Sequence, residues 1–333
     1  MQKSLHSLIK KDFQMMISGK FFLLALGSLL LYTLFINFGY VNFMRMPGYG
    51  IYLYVPPEES FPEQLREKVV VVQSEQEIYE CLSKDTNGVG ILYSESATKY
   101  ILYYGSDTLD NHRIAYAQSM LEGKRFETPI VVGKNTDEMK QRKEMSCELL
   151  FIEIVAVGFL GIASILFKEK QMGVMRVYGI MPASKALFII SKLIVFLVSD
   201  LVFAALLTLL NVKYPDATHI LPRVLLQTGI LSLIMVLVGM GCSLLINDFK
   251  QFSLAYLVVA LFISAPVFFS ANTSVQNNWI LWHPFYHLYM GMKNAFFDFP
   301  SEGIAYFLLC FGGIFLLFVL VKAAFIQEFS KEG

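Results

Sequence analysis

Six apolar stretches, each near the length a helix needs to cross a bilayer, constrain this chain more than anything else in it. A bilayer core takes roughly 20 apolar residues in helix. Phe21–Val41, Glu148–Phe167, Ala186–Leu210, Arg223–Ile246, Phe252–Phe269 and Gly303–Phe325 meet or nearly meet that length. The fifth is short, and Pro266 near its end predicts a kink or an early exit. Composition agrees: of 333 residues 55% are hydrophobic and only 16% charged, and the mean hydropathy is +0.53, well above soluble proteins. The first stretch is too long for the apolar part of a signal peptide and lacks a small-residue cleavage site, so it reads as retained. A formal net charge of +0 gives no whole-chain ground for a nucleic-acid partner, and none is expected.

Placement of Lys and Arg sets the expected orientation. Lys3, Lys10, Lys11 and Lys20 precede the first span; Lys168, Lys170, Arg176 and Lys185 lie between the second and third. Lys250, Lys322 and Lys331 fall on the same side by alternation, whereas the opposite loops offer Lys213, Arg223 and Lys293. Both termini are therefore expected in the cytoplasm, in a multi-pass protein of the cell membrane. Residues 1–20 place Leu5, Leu8, Ile9, Phe13, Met16 and Ile17 on one helical face, with Lys3, Lys10 and Lys11 on the other. That pattern predicts a helix in the membrane interface, its cations toward lipid phosphates.

Residues 42–147 differ in character. "IYLYV", "VVVVQ", "GVGILY" and "KYILYYG" read as strands. "SEQEIYECLSK" and "DNHRIAYAQSMLEG" read as helices, the first opened by Ser74 with Glu77 three residues on, a capping box. Alternation of strand and helix predicts a small α/β domain, extracellular by the count of spans. The expectation is a polytopic α-helical membrane protein of six transmembrane helices, with this domain between the first two. A cytoplasmic loop at 168–185, an extracellular re-entrant or interfacial segment at 270–302 and a cytoplasmic tail at 326–333 complete it.

Chemistry is sparse. No G-x-x-x-x-G-K-[ST], H-E-x-x-H or G-x-S-x-G occurs, so the chain carries no nucleotide-binding P-loop and neither of those hydrolase signatures. It is not expected to be an enzyme. His283 and His287 have i, i+4 spacing, but no acidic third ligand follows; Trp282, Tyr286 and Tyr289 beside them suit an interfacial aromatic belt. A Cys81–Cys147 disulfide is conceivable if both face an oxidising side. Ionisable groups inside spans are the sharper signal, each costing about 2.5–3.5 kcal/mol at the bilayer centre. Lys192 lies near a span end and is expected to snorkel. Asp200, roughly 20 Å up its span at 1.5 Å per residue, cannot. Glu153 enters the second span from the opposite end, so the two carboxylates fall at similar depth. Either they line a cavity on a translocation path for a cationic or amphipathic cargo, or they hydrogen-bond neighbouring helices and act as glue. Gly239 with Ser243 is a small-xxx-small pair that permits close helix packing.

The loop "FKEKQMGVMRVYGIMPAS" is unusual for a connector. Gly173 and Gly179 bracket "VMRVY", where Val174, Val177 and Tyr178 share a face, and Pro182 fixes the exit. A short helix with an apolar stripe suits docking into another protein's groove. With Glu169, Lys170, Gly173, Pro182, Ser184 and Lys192 in this order, the segment resembles permease subunits of the second type of ATP-binding-cassette (ABC) exporters, the ABC-2 family. The resemblance extends to the N-terminal interfacial helix, the large first external domain, six spans and "HPFYHLYMG" before the last span. Ala183 and Val174-Met175 depart from the family pattern, which leaves the subfamily undefined. The resemblance implies that a separate ATPase subunit, which binds ATP and Mg, receives the loop through Glu169, Gly173, Val174, Arg176, Val177, Tyr178 and Pro182. It also implies that two permease subunits, identical or different, form the path through the lipid, with no cofactor in this chain. A membrane-anchored sensor or scaffold, whose external domain binds a ligand without transport, is the alternative.

Overall fold

The structure, a computed structural model, describes residues 2–40, 50–57, 69–84, 88–93, 98–102, 109–121, 137–174, 177, 184–246, 248–272, 280–300 and 302–331. In chain order come α1 (Gln2–Ser18) and α2 (Phe21–Leu34), which runs on as a π-helical turn Phe35–Tyr40. Then come β1 (Ile51–Tyr54), β2 (Val70–Val72), α3 (Glu75–Lys84), β3 (Val89–Leu92), β4 (Lys99–Ile101) and α4 (Leu109–Leu121). α5 (Asp137–Ala156) continues through a π-helical turn, Val157–Gly161, into α6 (Ile162–Gln171). α7 (Lys185–Asn211), α8 (Asp216–Leu245), α9 (Phe249–Asn272), a 3-10 turn Ile280–Trp282, α10 (Pro284–Phe297) and α11 (Ile304–Lys331) complete the chain. It divides into a helical unit, Met1–Asn42 with Asn135–Gly333, and a second unit, Phe43–Lys134.

Five helices of the helical unit are long and apolar enough to cross a bilayer: Phe21–Tyr40, Glu138–Gln171, Lys185–Asn211, Asp216–Leu245 and Ile304–Glu328. This is the pattern of a polytopic helical membrane protein. The sixth expected crossing falls on α9, whose apolar part, Phe249–Ala265, is shorter than the rest. The second expected span begins earlier than its hydropathy, because the polar residues from Asp137 onward are already helical. The segment at 270–302, expected to be re-entrant or interfacial, carries α10. α10 buries Leu288, Tyr289, Met292, Ala295 and Phe296, so it is a packed element rather than a surface helix. Tyr289, expected in an aromatic belt, meets Phe151 edge-on with centroids 5.6 Å apart. Trp282 alone of that group stays widely exposed, at 88%.

α8 is the hub, packing on α5 to α7, α10 and α11. Its approach to the π-turn is too close for side chains: a Cβ on Gly158 would lie 2.6 Å from Met235 Cβ. One on Gly239 would lie 2.9 Å from Gly158 O and 2.7 Å from Ile162 Cγ2. The small residue expected at Gly239 is therefore required by backbone contact, as in close-packed membrane helices. Beside this crossing Phe159 stacks on Phe252 at 4.9 Å. On the outside, Leu23, Leu30 and Leu31 of α2 and Leu308, Phe315 and Leu316 of α11 are exposed, which suits lipid as the solvent.

The second unit bears out the alternation read from sequence. All four strands and both helices form where the Val/Ile/Tyr runs and polar periodic runs place them. The sheet order is β2-β1-β3-β4, with β1 parallel to β2 and β3 and β4 antiparallel to β3. Strand alternation splits β1 between faces. Ile51 and Leu53 join Val89, Ile91 and Ala117 of α4, while Tyr52 and Tyr54 face Ile78 and Leu82 of α3. Burying each of those two α3 side chains contributes about 1.5–3 kcal/mol. α3 starts as expected: Glu77 N donates to Ser74 Oγ at 3.2 Å. The return bond is shifted by one residue, with Gln73 N donating to Glu77 Oε2 at 2.7 Å.

Candidate functional site

α6 ends and α7 begins on either side of the loop that resembles a docking segment. The last turn of α6 carries Glu169 and the second turn of α7 carries Lys192; both are buried, at 0% and 1% exposure. They meet directly, Lys192 Nζ lying 2.9 Å from the Glu169 carboxylate. Lys192 Nζ also donates to Asp12 Oδ1 at 3.0 Å, and Ser191 Oγ donates to Asp12 Oδ2 at 2.7 Å. Lys11 Nζ closes the group, donating to Glu169 and lying 3.3 Å from Asp12. The Phe188 ring lies 4.5 Å from Lys192 Nζ and 5.4 Å from Lys11 Nζ, which places both cations against its π face. Two cations and two carboxylates make a neutral quartet. Burying charges is expensive unless every one is paired, and here each has a partner of opposite sign, although Glu169 Oε2 accepts no hydrogen bond.

The quartet corrects two expectations. Lys192 does not snorkel, because Asp12 on α1 and Glu169 on α6 hold its ammonium inside. α1 does not only rest on lipid either: Leu8, Asp12 and Met16 form a buried stripe against the protein. Asp12 was missed because its position on an amphipathic helix looks solvated. A second tie fixes the same end of α6, where Lys170 Nζ donates to Ser243 O at 3.2 Å and lies 3.5 Å from Glu328. The α6 end of the loop is thus fastened to α1, α8 and α11, and the α7 end to α1.

Of the residues expected to dock, Glu169 lies inside the quartet rather than on an outer surface. Gly173 has φ +69° with open space where a Cβ would stand, so the turn leaving α6 uses a left-handed residue. Val174 is half-buried and Val177 exposed. Arg176, Tyr178 and Pro182 lie outside the described residues.

The two carboxylates of the spans do come together. Glu153 of α5 and Asp200 of α7 both line one small cavity, with Phe21, Ala25, Ser199 and Phe203. Ser28 Oγ and Tyr32 OH of α2 donate to Glu153 at 2.8 and 2.7 Å, and Ser232 Oγ of α8 donates to Asp200. These bonds run between helices, so the carboxylates fasten α2 to α5 and α7 to α8 as well as lining a cavity. No ion pair reaches either of them among the described residues.

Elsewhere the groups do not converge on chemistry. His287 Nε2 lies 2.9 Å from Leu281 O, closing the 3-10 turn, while the His283 ring packs 4.3 Å from Phe262. Among the described residues no cluster of three or more His, Cys, Asp or Glu could hold a metal. Cys81 and Cys147 are both free thiols, and Cys147 is fully buried in the helical unit.

These features define a class: a multi-helix membrane protein with a mounted loop at one end and an acidic cavity inside the bundle. Comparison with known protein families and with curated proteins finds no match to this chain.

Proposed function

We propose that this chain is the permease subunit of an ATP-driven exporter, coupled through the 168–185 loop to a separate ATPase. The observation that carries the reading is the buried quartet. A loop that transmits force needs both of its ends tied to the elements it moves, and Lys192, Glu169 and Asp12 tie them to α1 and α7. The order of motif residues from Glu169 to Lys192, which resembles that of ABC-2 permeases, supports the same assignment. In this reading both termini and the loop face the cytoplasm, the α/β unit faces outward, and a second permease subunit completes the path. ATP and Mg bind the partner, consistent with the lack of a P-loop motif in this sequence.

The test is co-purification of the full chain from its native membrane, with ATP hydrolysis assayed in the isolated complex. Wild type is expected to bring down a P-loop protein and its activity. Val177→Asp with Tyr178→Ala is expected to lose both while remaining inserted, since a buried large side chain contributes about 1.5–3 kcal/mol and a charge cannot enter an apolar groove unpaired. An unchanged complex in that variant would reduce the loop to a connector. Orientation is read separately by an impermeant maleimide on intact cells. With the four native cysteines replaced, a single cysteine at position 94 or 106 in place of serine reacts before lysis, and one in place of Ser184 only after it.

A further inference from the structure

An apolar groove of about 330 Å³ runs between α1, α2 and α7. That volume lies at the lower end of small-molecule sites, about 300–1,000 Å³. Its walls include Phe13, Leu26, Val198 and Val202, all of them exposed, and its only polar lining residue is Ser199. Ala25, Ser199 and Phe203 line both this groove and the cavity that holds Glu153 and Asp200. The groove is therefore open along its outer side and shares part of its inner wall with the cavity that Glu153 and Asp200 line.

The two carboxylates contrast with the quartet, where each negative charge meets an ammonium of the chain itself. Glu153 and Asp200 accept bonds only from hydroxyls among the described residues. Carboxylates in apolar surroundings call for a proton or a cation. The cavity offers about 10 Å³ of free space, enough for a water-sized group and too little for a bulky head. An –NH₃⁺ group has that size and three donors, which suits two carboxylates and the Ser199 hydroxyl. A trimethylammonium is larger and donates nothing.

We infer that the groove takes a long-chain primary amine in its protonated form, its alkyl tail along α2 and α7 and its ammonium between Glu153 and Asp200. The inference supplies a cargo class for the exporter reading and rests on that reading only for transport, not for binding. Charge complementarity selects this occupant over an ordinary bilayer lipid, whose tail the groove walls would accept equally well.

The experiment uses the full chain in phosphatidylcholine nanodiscs and measures equilibrium binding of radiolabelled hexadecylamine, with hexadecanol and hexadecyltrimethylammonium as comparators. Hexadecylamine should bind saturably to wild type. Asp200→Asn, and Glu153→Gln with Asp200→Asn, should weaken it by about tenfold or more, a loss of at least about 1.4 kcal/mol, and hexadecanol binding should be the same in all three. Hexadecyltrimethylammonium should bind wild type about tenfold more weakly than hexadecylamine, an equal step. Val198→Trp, at an exposed groove wall, should obstruct all three probes and serves if the carboxamide variants fail to fold. Equal hexadecylamine binding by wild type and Asp200→Asn, or by wild type and Val198→Trp, overturns the site. Equal binding of the primary and quaternary amines overturns the headgroup assignment. No ATPase enters this assay, so its failure leaves the loop test standing, and failure of the loop test leaves this site standing.

Discussion

The helical unit carries an ionic cluster at each end, and the two are built on opposite principles. At the α1 end, Asp12, Lys192 and Glu169 are almost wholly enclosed, with side-chain exposures of 2%, 1% and 0%. At the other end, Arg142 bonds Glu138, Asn37 Oδ1 and the Asn211 carbonyl, Lys143 pairs with Asp216 at 2.9 Å, and Lys213 reaches Glu138 at 2.8 Å. There Arg142 and Lys143 are themselves enclosed, at 10% and 3%, but Asp216 and Lys213 are 41% and 59% exposed, and amides and backbone share the load. A closed ion cluster gives definition and tolerates no single loss; an open one is graded and screened by salt. The rigid cluster is the one that holds the ends of the loop.

Removing charges one at a time breaks or sharpens this contrast. The largest effect is expected for Lys192→Met, which strands Asp12 and Glu169 beside a single remaining ammonium. Losing one partner of a buried pair costs about 3–5 kcal/mol, readable as a lowered unfolding temperature in detergent and as proteolysis near α1. Adding Glu169→Gln leaves Asp12 opposite Lys11 and should recover most of the loss. Failure to recover would mean that packing, not charge balance, holds α1. Arg142→Ala comes next, at about 1.5–3 kcal/mol for a charge-assisted hydrogen bond lost. Arg142→Lys should restore only part of it, because an ammonium cannot span three acceptors as a guanidinium does. The smallest effect is expected for Lys213→Ala, about 0–1 kcal/mol, vanishing in high salt. A cost there equal to that of Lys192→Met would erase the distinction between the two ends.

Sequence made some of this readable and concealed the rest for physical reasons. The strands of the second unit announced themselves because Val, Ile and Tyr runs separated by polar helices have few other folds. Glu153 and Asp200 stood out because a carboxylate in an apolar run is costly, although the cavity they share depends on how α5 and α7 pack. Asp12 and Lys11 were invisible as core residues. They sit on the polar face of an amphipathic helix, and their partners lie 180 and 158 positions away along the chain. Arg142 and Lys143 were assigned to the preceding domain because hydropathy registers only the apolar part of a helix that begins at Asp137.

A rigid mount for the loop can be measured without its partner. Spin labels on cysteines replacing Lys10 of α1 and Ser184 before α7, both exposed positions, report the distance between the interfacial helix and the far end of the loop. With the quartet intact, pulsed electron–electron resonance in nanodiscs should give one narrow distribution, and Lys192→Met in the same background should broaden it. A broad distribution in the intact protein, or an unchanged narrow one after Lys192→Met, would contradict the claim that Asp12, Lys192 and Glu169 bind the loop's ends to α1 as one block.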